Sequence, residues 1–497
     1  MPTLSKSRYV SGVQCAKKLY FDVHRKELKR DVSATQQALF DTGHALGTLA
    51  QQVFPNGRDV YAESNKNWSV AIELTKALIA NNKQTIYEAA FSCNNGFAAL
   101  DILHHTQGER WAIEVKSSTS VKDYQLDDAA FQYYVMDNAG YKPDKFFLMH
   151  IDNTYRKDGA IDPQQLFKLE DITALVVSKQ AEVSTLHAAL INVLDQSSEP
   201  AVSIGKHCDS PFACDYKYHC WAHIPSPSVF DLYNARGKDW TLYGQGISSM
   251  HDIPENFSLN HWQQLQVNGV KHNQTFLDKE KIEGFLGLIE EPLYFLDCET
   301  INSAIPILDG TAPFQQIPFQ YSLHITDIEG NEIAHCEHLA DASQFNASNA
   351  IDPRRLLIEQ LKRDIGPVGS IVAYNAGFEV LRLTELAEAF PDERAYLESL
   401  ISRFIDLLIP FRSGWYYHPD MLYGASIKHV LPAIAPEHSY NALTVSNGSE
   451  ASTIFLSMIQ KTFIGNEATT RNDLLEYCKK DSYGMVVLYR FLQQVIQ

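Results

Sequence analysis

Residues 84–116 contain three short β-like runs, TIYEAAF, GFAALDIL and RWAIEVK, and the turn signal TQGER separates the last two. This pattern predicts a meander that ends in a hairpin. Asp101 falls on the second run. Glu114 and Lys116, two apart on the third, share one face of a strand. An Asp and a Glu on adjacent strands with a Lys beside them can hold a divalent metal and steady an attacking water, which are the parts phosphodiester hydrolysis needs. Hard oxygen ligands favour Mg²⁺ or Mn²⁺. An Asp followed by ExK also arises by chance in hairpins, so the neighbours matter. Glu88 lies on the first run, His44 on a predicted helix upstream (DTGHALGTLAQQVF), and Gln132 on a predicted helix downstream (DDAAFQYYVM). Taken singly, a His or Gln on a helix is more often structural.

The chain has 497 residues, more than one ordinary core encloses, so two or three domains are expected. A Pro/Ser break after Trp221 (IPSPSV) and a second break after LIEEP divide it into residues 1–222, a helical connector over 223–291, and residues 292–497. The formal net charge of −18 argues against a nucleic-acid binder at first sight. Its distribution is uneven. Residues 1–222 carry 23 Lys and Arg against 26 Asp and Glu, whereas the remainder carries 19 against 34. The basic run KKLYFDVHRKELKR reads either as a solvated helix face or as a contact for phosphates. The acidic half needs metal ions if it handles a polyanion. No apolar run approaches the ~18 residues of a membrane span, and the N-terminus has no apolar core of signal-peptide length. A cytoplasmic protein with no membrane partner is expected, with its eight cysteines kept as thiols.

A second set of acids follows. LYFLDCET puts Asp297 and Glu299 on one face of a predicted strand, with Cys298 on the other. SIVAYNAGFEVLRLTEL reads as a strand ending near Asn375 and a helix beginning near Glu379. In LLEYCKKDSYGMVV, Tyr477 and Asp481 are four apart on one helix face. Acidic pairs on buried strands are costly unless a metal or hydrogen bonds neutralise them. Asp406 is an additional acid, read as structural. In SIKHVLPAIAP the sequence shows only a short helix able to line a groove.

Three cysteines stand at equal intervals in HCDSPFACDYKYHC: Cys208, Cys214 and Cys220. They read as ligands of one group, with the fourth ligand open. Zinc with His207, His219 or His223 is one solution. Cys93, Cys298, Cys336 and Cys478 are expected to be ordinary buried thiols.

Together, Cys15, His44, Glu88, Asp101, Glu114, Lys116, Gln132 and the cysteine triplet resemble the RecB-like PD-(D/E)xK nucleases with an iron–sulfur staple, AddB and the CRISPR-adaptation nucleases among them. The resemblance covers about residues 5–222. It implies a [4Fe–4S] cluster on Cys15, Cys208, Cys214 and Cys220, a metal on His44, Asp101 and Glu114, and Lys116 as a catalytic residue. Residues 292–497 resemble the tyrosine subtype of the DEDD exonucleases, which have the RNase H-like fold. There Asp297, Glu299, Glu379 and Asp481 correspond to the metal ligands, Tyr477 to the residue that orients water, and Asn375 belongs to the NAGFE segment. Glu379 stands where that family normally has Asp. The order of the two parts also looks like a bacterial family described as a domain of unknown function.

The expected fold is α/β, a restriction-endonuclease-like domain plus an RNase H-like domain. The expected activity is metal-dependent DNA exonuclease, acting on single strands or duplex ends, with RNA as a second candidate. No GxxxxGK[ST] segment is present, so an ATP motor, if one is needed, comes from a helicase or another DNA-processing partner. The reading from another class is a nucleic-acid-binding scaffold or regulator whose nuclease sites are inactive.

Overall fold

The computed structural model describes residues 3–345, 351–440 and 443–497. It is a mixed α/β protein with several sheets. Contacts group it into two units: Met1–His223 with Ala304–Phe314, and Ile224–Ser303 with Gln315–Gln497.

The first unit begins with α1 (Lys6–Gln14), α2 (Ala16–His24) and α3 (Ala34–Gln51). The sheet follows with β1 (Thr85–Cys93), β2 (Gly96–Thr106) and β3 (Glu109–Lys116), then α4 (Asp123–Asn138), β4 (Lys145–Ile151), β5 (Phe167–Asp171) and α5 (Gln180–Leu194). The strands lie side by side in chain order, and two-residue strands at Arg58–Asp59 and Leu4–Ser5 join β1 and β2. The pairs β1–β2, β2–β3 and β4–β5 are antiparallel, whereas β3 and β4 are parallel. A parallel pair needs a crossover, and α4 supplies it. That crossover brings Asp128 and Gln132 to the end of β3. Both sheet faces are covered. One packs on Tyr9, Phe21, Phe131 and Leu190 of the helices, the other on Leu46 and Ala50 of α3. Ala304 lies in the second of these cores. Segment Ala304–Phe314 is held further by Gly310 N–H to the Lys157 carbonyl at 2.8 Å, Lys157 N–H to the Thr311 carbonyl at 3.1 Å, and a Lys157–Asp309 ion pair.

The second unit contains α6 (His261–His272), β6 (Leu293–Asn302), β7 (Gln316–Thr326), β8 (Glu332–Leu339), α7 (Pro353–Asp364) and β9 (Ser370–Ala373). It continues with α8 (Gly377–Ala389), β10 (Phe404–Asp406), α9 (Ile427–Ile434), α10 (Gly448–Ile459) and α11 (Glu467–Ile496). Its main sheet runs β8-β7-β6-β9-β10, with β6 central, antiparallel to β7 and parallel to β9. The segment expected as a connector groups with this unit. Trp262 of α6 is buried and donates its indole N–H to the Phe411 carbonyl at 3.1 Å, and Gln266 donates to the Leu422 carbonyl. Buried amides bonded to distant backbone are part of a core, which explains why this stretch does not stand apart.

The register of α11 is set by polar contacts to β7. Gln320 donates to the Leu474 carbonyl at 2.8 Å, and the Ser482 hydroxyl lies 2.7 Å from that of Ser322 and 2.9 Å from His324 Nδ1. No helix among the described residues is long and apolar enough to cross a membrane.

Candidate active sites and a cysteine pocket

In the first unit Glu114, at the end of β3, is buried and both its oxygens are occupied. Oε1 accepts from Lys6 Nζ and from Lys116 Nζ, each at 2.7 Å, and Oε2 accepts from the Gln132 amide at 2.9 Å. Lys116 also reaches Asp128 Oδ2 at 2.6 Å. Burial alone raises a carboxyl, but here the ammonium charges of Lys116 and Lys6 outweigh it and hold Glu114 down at about 2. Asp101 is placed differently. Its Oδ2 accepts the Val115 N–H at 2.6 Å, while burial and the charge of Glu114 push it up to about 7. Glu88 faces the same group. Burial and the charge of Asp101 push it up to about 8. Its φ of 53° interrupts the ladder between Tyr87 and Ala89. A non-glycine residue held in this region is a local strain that aims its side chain.

Asp101, Glu114, Lys116 and Gln132 thus come together. His44, expected as a metal ligand, does not join them. It is exposed on α3, whose buried face is formed by Leu46 and Ala50, and a helix cannot turn both sides to the sheet. Lys6 and Asp128 belong to the site and were not anticipated. Asp128 had a signal, since it lies four residues before Gln132 on the same helix face. Lys6 had none.

In the second unit Asp297, Glu299 and Asp481 bring one carboxylate oxygen each within 4.8 Å of one another, the group of this kind found among the described residues. Asp297 and Glu299 project from β6, and Asp481 reaches them from α11. Glu379, on the first turn of α8, is buried, and its Oε2 has no hydrogen-bond partner among the described residues. Burial and mutual repulsion move these acids the same way. Asp297 is pushed up to about 8 by burial and by Asp481. Burial, then the charge of Asp297, holds Glu299 and Glu379 well above the usual carboxylate range. Burial also raises Asp481, against hydrogen bonds from Tyr440 and Tyr477. The Tyr440 hydroxyl is 2.5 Å from Asp481 Oδ1. Lys428 of α9 donates to the Ser446 carbonyl at 2.7 Å and to the Tyr477 oxygen at 3.3 Å, and its charge is set against Asp297, Glu299 and Asp481.

The acid group is walled by close contacts. A Cβ on Gly448, at the start of α10, would lie 3.0 Å from Glu299 Oε2, so glycine lets the backbone approach that carboxylate without displacing it. Asn375 sits at φ 70°, a left-handed conformation that Asn tolerates, and donates its N–H to Asp406 Oδ1 at 2.9 Å. Asp406 also accepts from Leu408 N–H at 3.0 Å, so it fastens the turn that leads into α8. Cys478, expected as an inert thiol, donates to Asp297 Oδ2 at 3.3 Å.

The cysteines form a third locus. Cys15 lies between α1 and α2, and one pocket is lined by Cys15, Cys208, Cys214 and Cys220, with His207 also on its wall. His219 instead packs edge-on against the Phe21 ring. Burial raises the thiols of Cys214, to about 11, and Cys220. Gln14, beside Cys15, donates to the carbonyls of His207 at 2.8 Å and Phe212 at 2.7 Å, which ties the first helix to the cysteine loop.

Comparison with known proteins finds similarity of sequence. A domain of unknown function, DUF2779, matches residues 294–426, a span that includes Asp297, Glu299 and Glu379 but not Tyr477 or Asp481. An uncharacterized protein of Ureaplasma parvum is 27% identical over 299 residues, covering 54% of this chain and 41% of that protein. An uncharacterized protein of Mycoplasma pneumoniae is 29% identical over 230 residues, covering 42% and 33%. The chain therefore spans less than half the length of these curated relatives.

Proposed function

We propose that this chain is a metal-dependent nuclease, a DNA exonuclease with RNA as a second substrate class. In this reading the first unit is a PD-(D/E)xK nuclease fold of the RecB-like kind, and the second an RNase H-like exonuclease fold of the DEDD type. The observation that carries the reading is the convergence of Asp297, Glu299 and Asp481, one carboxylate oxygen each within 4.8 Å, with the buried and orphaned Glu379 feeling the charge of Asp297. Four carboxylates whose pKa values all rise are a group short of positive charge, and divalent cations with oxygen ligands fit such a donor set. Asp297, Glu299 and Asp481, with Glu379 beside Asp297 in charge, would hold Mg²⁺ or Mn²⁺, which would supply the positive charge that phosphodiester hydrolysis requires.

The chain's own residues do the rest. Tyr477 holds its hydroxyl beside Asp481, with Lys428 on the same oxygen, so the phenol is fixed in one orientation from which it can direct a water. Tyr440 clamps Asp481. In the first unit Lys116 is the group to stabilise charge at an attacked phosphate, beside Asp101 and Glu114. The four-thiol pocket supports a structural [4Fe–4S] cluster that joins Cys15 to the triplet near residue 214. Freshly purified anaerobic protein is then brown and contains iron, and Cys214→Ser loses both. Stoichiometric zinc without iron would reject the cluster.

The deciding experiment is digestion of 5′- and 3′-labelled DNA and RNA with Mn²⁺, comparing Asp297→Ala with Lys116→Ala. No cleavage by the wild type in Mg²⁺ or Mn²⁺ would leave the scaffold reading. One observation favours that second reading for the first unit alone: the oxygens of Glu114 are taken by Lys6, Lys116 and Gln132.

A further inference from the structure

α1 has two sets of side chains. Lys6 reaches Glu114, while Ser7, Arg8 and Ser11 line an open groove of about 380 Å³ whose other walls include Lys18, Lys26 and Lys29. Two acids also line it, and both are engaged. Asp22 accepts the Tyr216 hydroxyl at 2.8 Å, and Asp215 pairs with Lys29 at 3.2 Å. Arg8 and Lys18 have neutral partners, the Thr3 carbonyl and the Gln14 amide oxygen. Hydrogen bonds to neutral oxygens leave a cation's charge uncompensated. In a chain of net charge −18, this groove concentrates four cations against two acids.

We propose that this groove binds a single nucleic-acid strand by its phosphodiester backbone; the proposal rests on the nucleic-acid reading above. The cations are distributed over α1, α2 and the turn after it, and not focused on a point. Such a distribution suits a chain of phosphates better than a single anion. The hydroxyls of Ser7 and Ser11 add donors of the kind that contact phosphate oxygens without reading sequence.

The test is fluorescence anisotropy of a labelled single-stranded oligonucleotide with the full-length protein in EDTA, over a range of salt. Each phosphate neutralised on a single strand contributes about 0.7 to the slope of log K against log salt. The combined variant Arg8→Gln, Lys18→Gln, Lys26→Gln, which removes the groove cations without an acidic partner, therefore lowers that slope by about 2. A control, Lys66→Gln, Lys76→Gln, Lys168→Gln, removes three exposed cations elsewhere in the same unit and leaves the slope unchanged. An unchanged slope in the first variant, or an equal fall in the control, overturns the proposal. Binding in EDTA requires no hydrolysis, so the two readings separate. The expected slopes without any cleavage sink the nuclease reading and leave the groove. Cleavage with unaltered slopes does the reverse.

Discussion

In the first unit a buried carboxylate lies between two ammonium groups; in the second, Asp297, Glu299 and Asp481 share the single charge of Lys428, and the buried Glu379 feels that of Arg382. Glu114 and Asp297 therefore move in opposite directions, although Asp101 and Glu88 of the first site, which lack direct ammonium partners, rise as Asp297 does. Glu114 falls to about 2, while Asp297 rises to about 8. The first set is close to neutral as built. The second gains most from an added cation. Burial acts to raise every one of these carboxyls, so the difference lies in which cations the fold delivers.

The sharpest way to break this comparison is to remove acids from the second set. Asp297→Ala and Asp481→Ala are expected to abolish exonucleolytic trimming of end-labelled DNA while sparing cleavage that depends on Lys116. Loss of both activities together would merge the two sites into one. Next in size is Lys116→Met. It leaves Glu114 and Asp128 buried with one cation fewer, and removing one partner of a buried pair costs about 3 kcal/mol. Chemical denaturation should detect that loss, along with the loss of first-site cleavage. An unchanged midpoint would mean that Lys6 alone suffices.

The pH dependence of stability distinguishes Glu114 from Asp297 by sign, with Asp101 and Glu88 following Asp297. Asp297 binds its proton more tightly folded than unfolded, so its contribution falls as pH rises from about 4 through about 8. Glu114 is the reverse: its contribution is present above its ordinary value near 4.5 and is lost as pH falls through about 2. In EDTA the second unit should melt at lower temperature at pH 8.5 than at pH 5.5, and Mn²⁺ should raise the melting temperature more at pH 8.5. A metal-free stability maximum at pH 8.5 would contradict the charge deficit.

Smaller effects concern the groups around the acids. Tyr477→Phe removes one oriented hydroxyl and should slow trimming by an amount worth about 2–4 kcal/mol at most. Glu379→Gln should behave like Asp481→Ala if the buried orphan oxygen is a ligand, since a neutral amide lacks the charge that holds a divalent ion. Trimming unaffected by Glu379→Gln would remove Glu379 from the ligand set. Lys428→Met removes positive charge from the acid group and should tighten Mn²⁺ binding several-fold by calorimetry, even as trimming slows. Weaker Mn²⁺ binding would show that Lys428 serves mainly to hold the fold of α9.

Much of this was readable from local spacing. Residues two apart on a strand share a face, which placed Asp297 with Glu299 and Glu114 with Lys116; residues four apart on a helix share a face, which placed Tyr477 with Asp481. Those periodicities are properties of the backbone, so the linear order determined them. His44 shows the limit, because a helical position does not say which side of the helix meets the sheet.

What the tertiary structure decided is the company each carboxylate keeps. Lys6 meets Glu114 across 108 residues and Lys428 meets Tyr477 across 49, while Cys15 joins three thiols nearly two hundred residues away. No spacing rule reaches over such distances. These contacts exist because the strands pair, the crossover helix α4 packs on its sheet, and α11 is held in register by Ser322, His324 and Gln320. The charge that a buried carboxylate feels is a sum over neighbours in space, and only the folded chain specifies those neighbours.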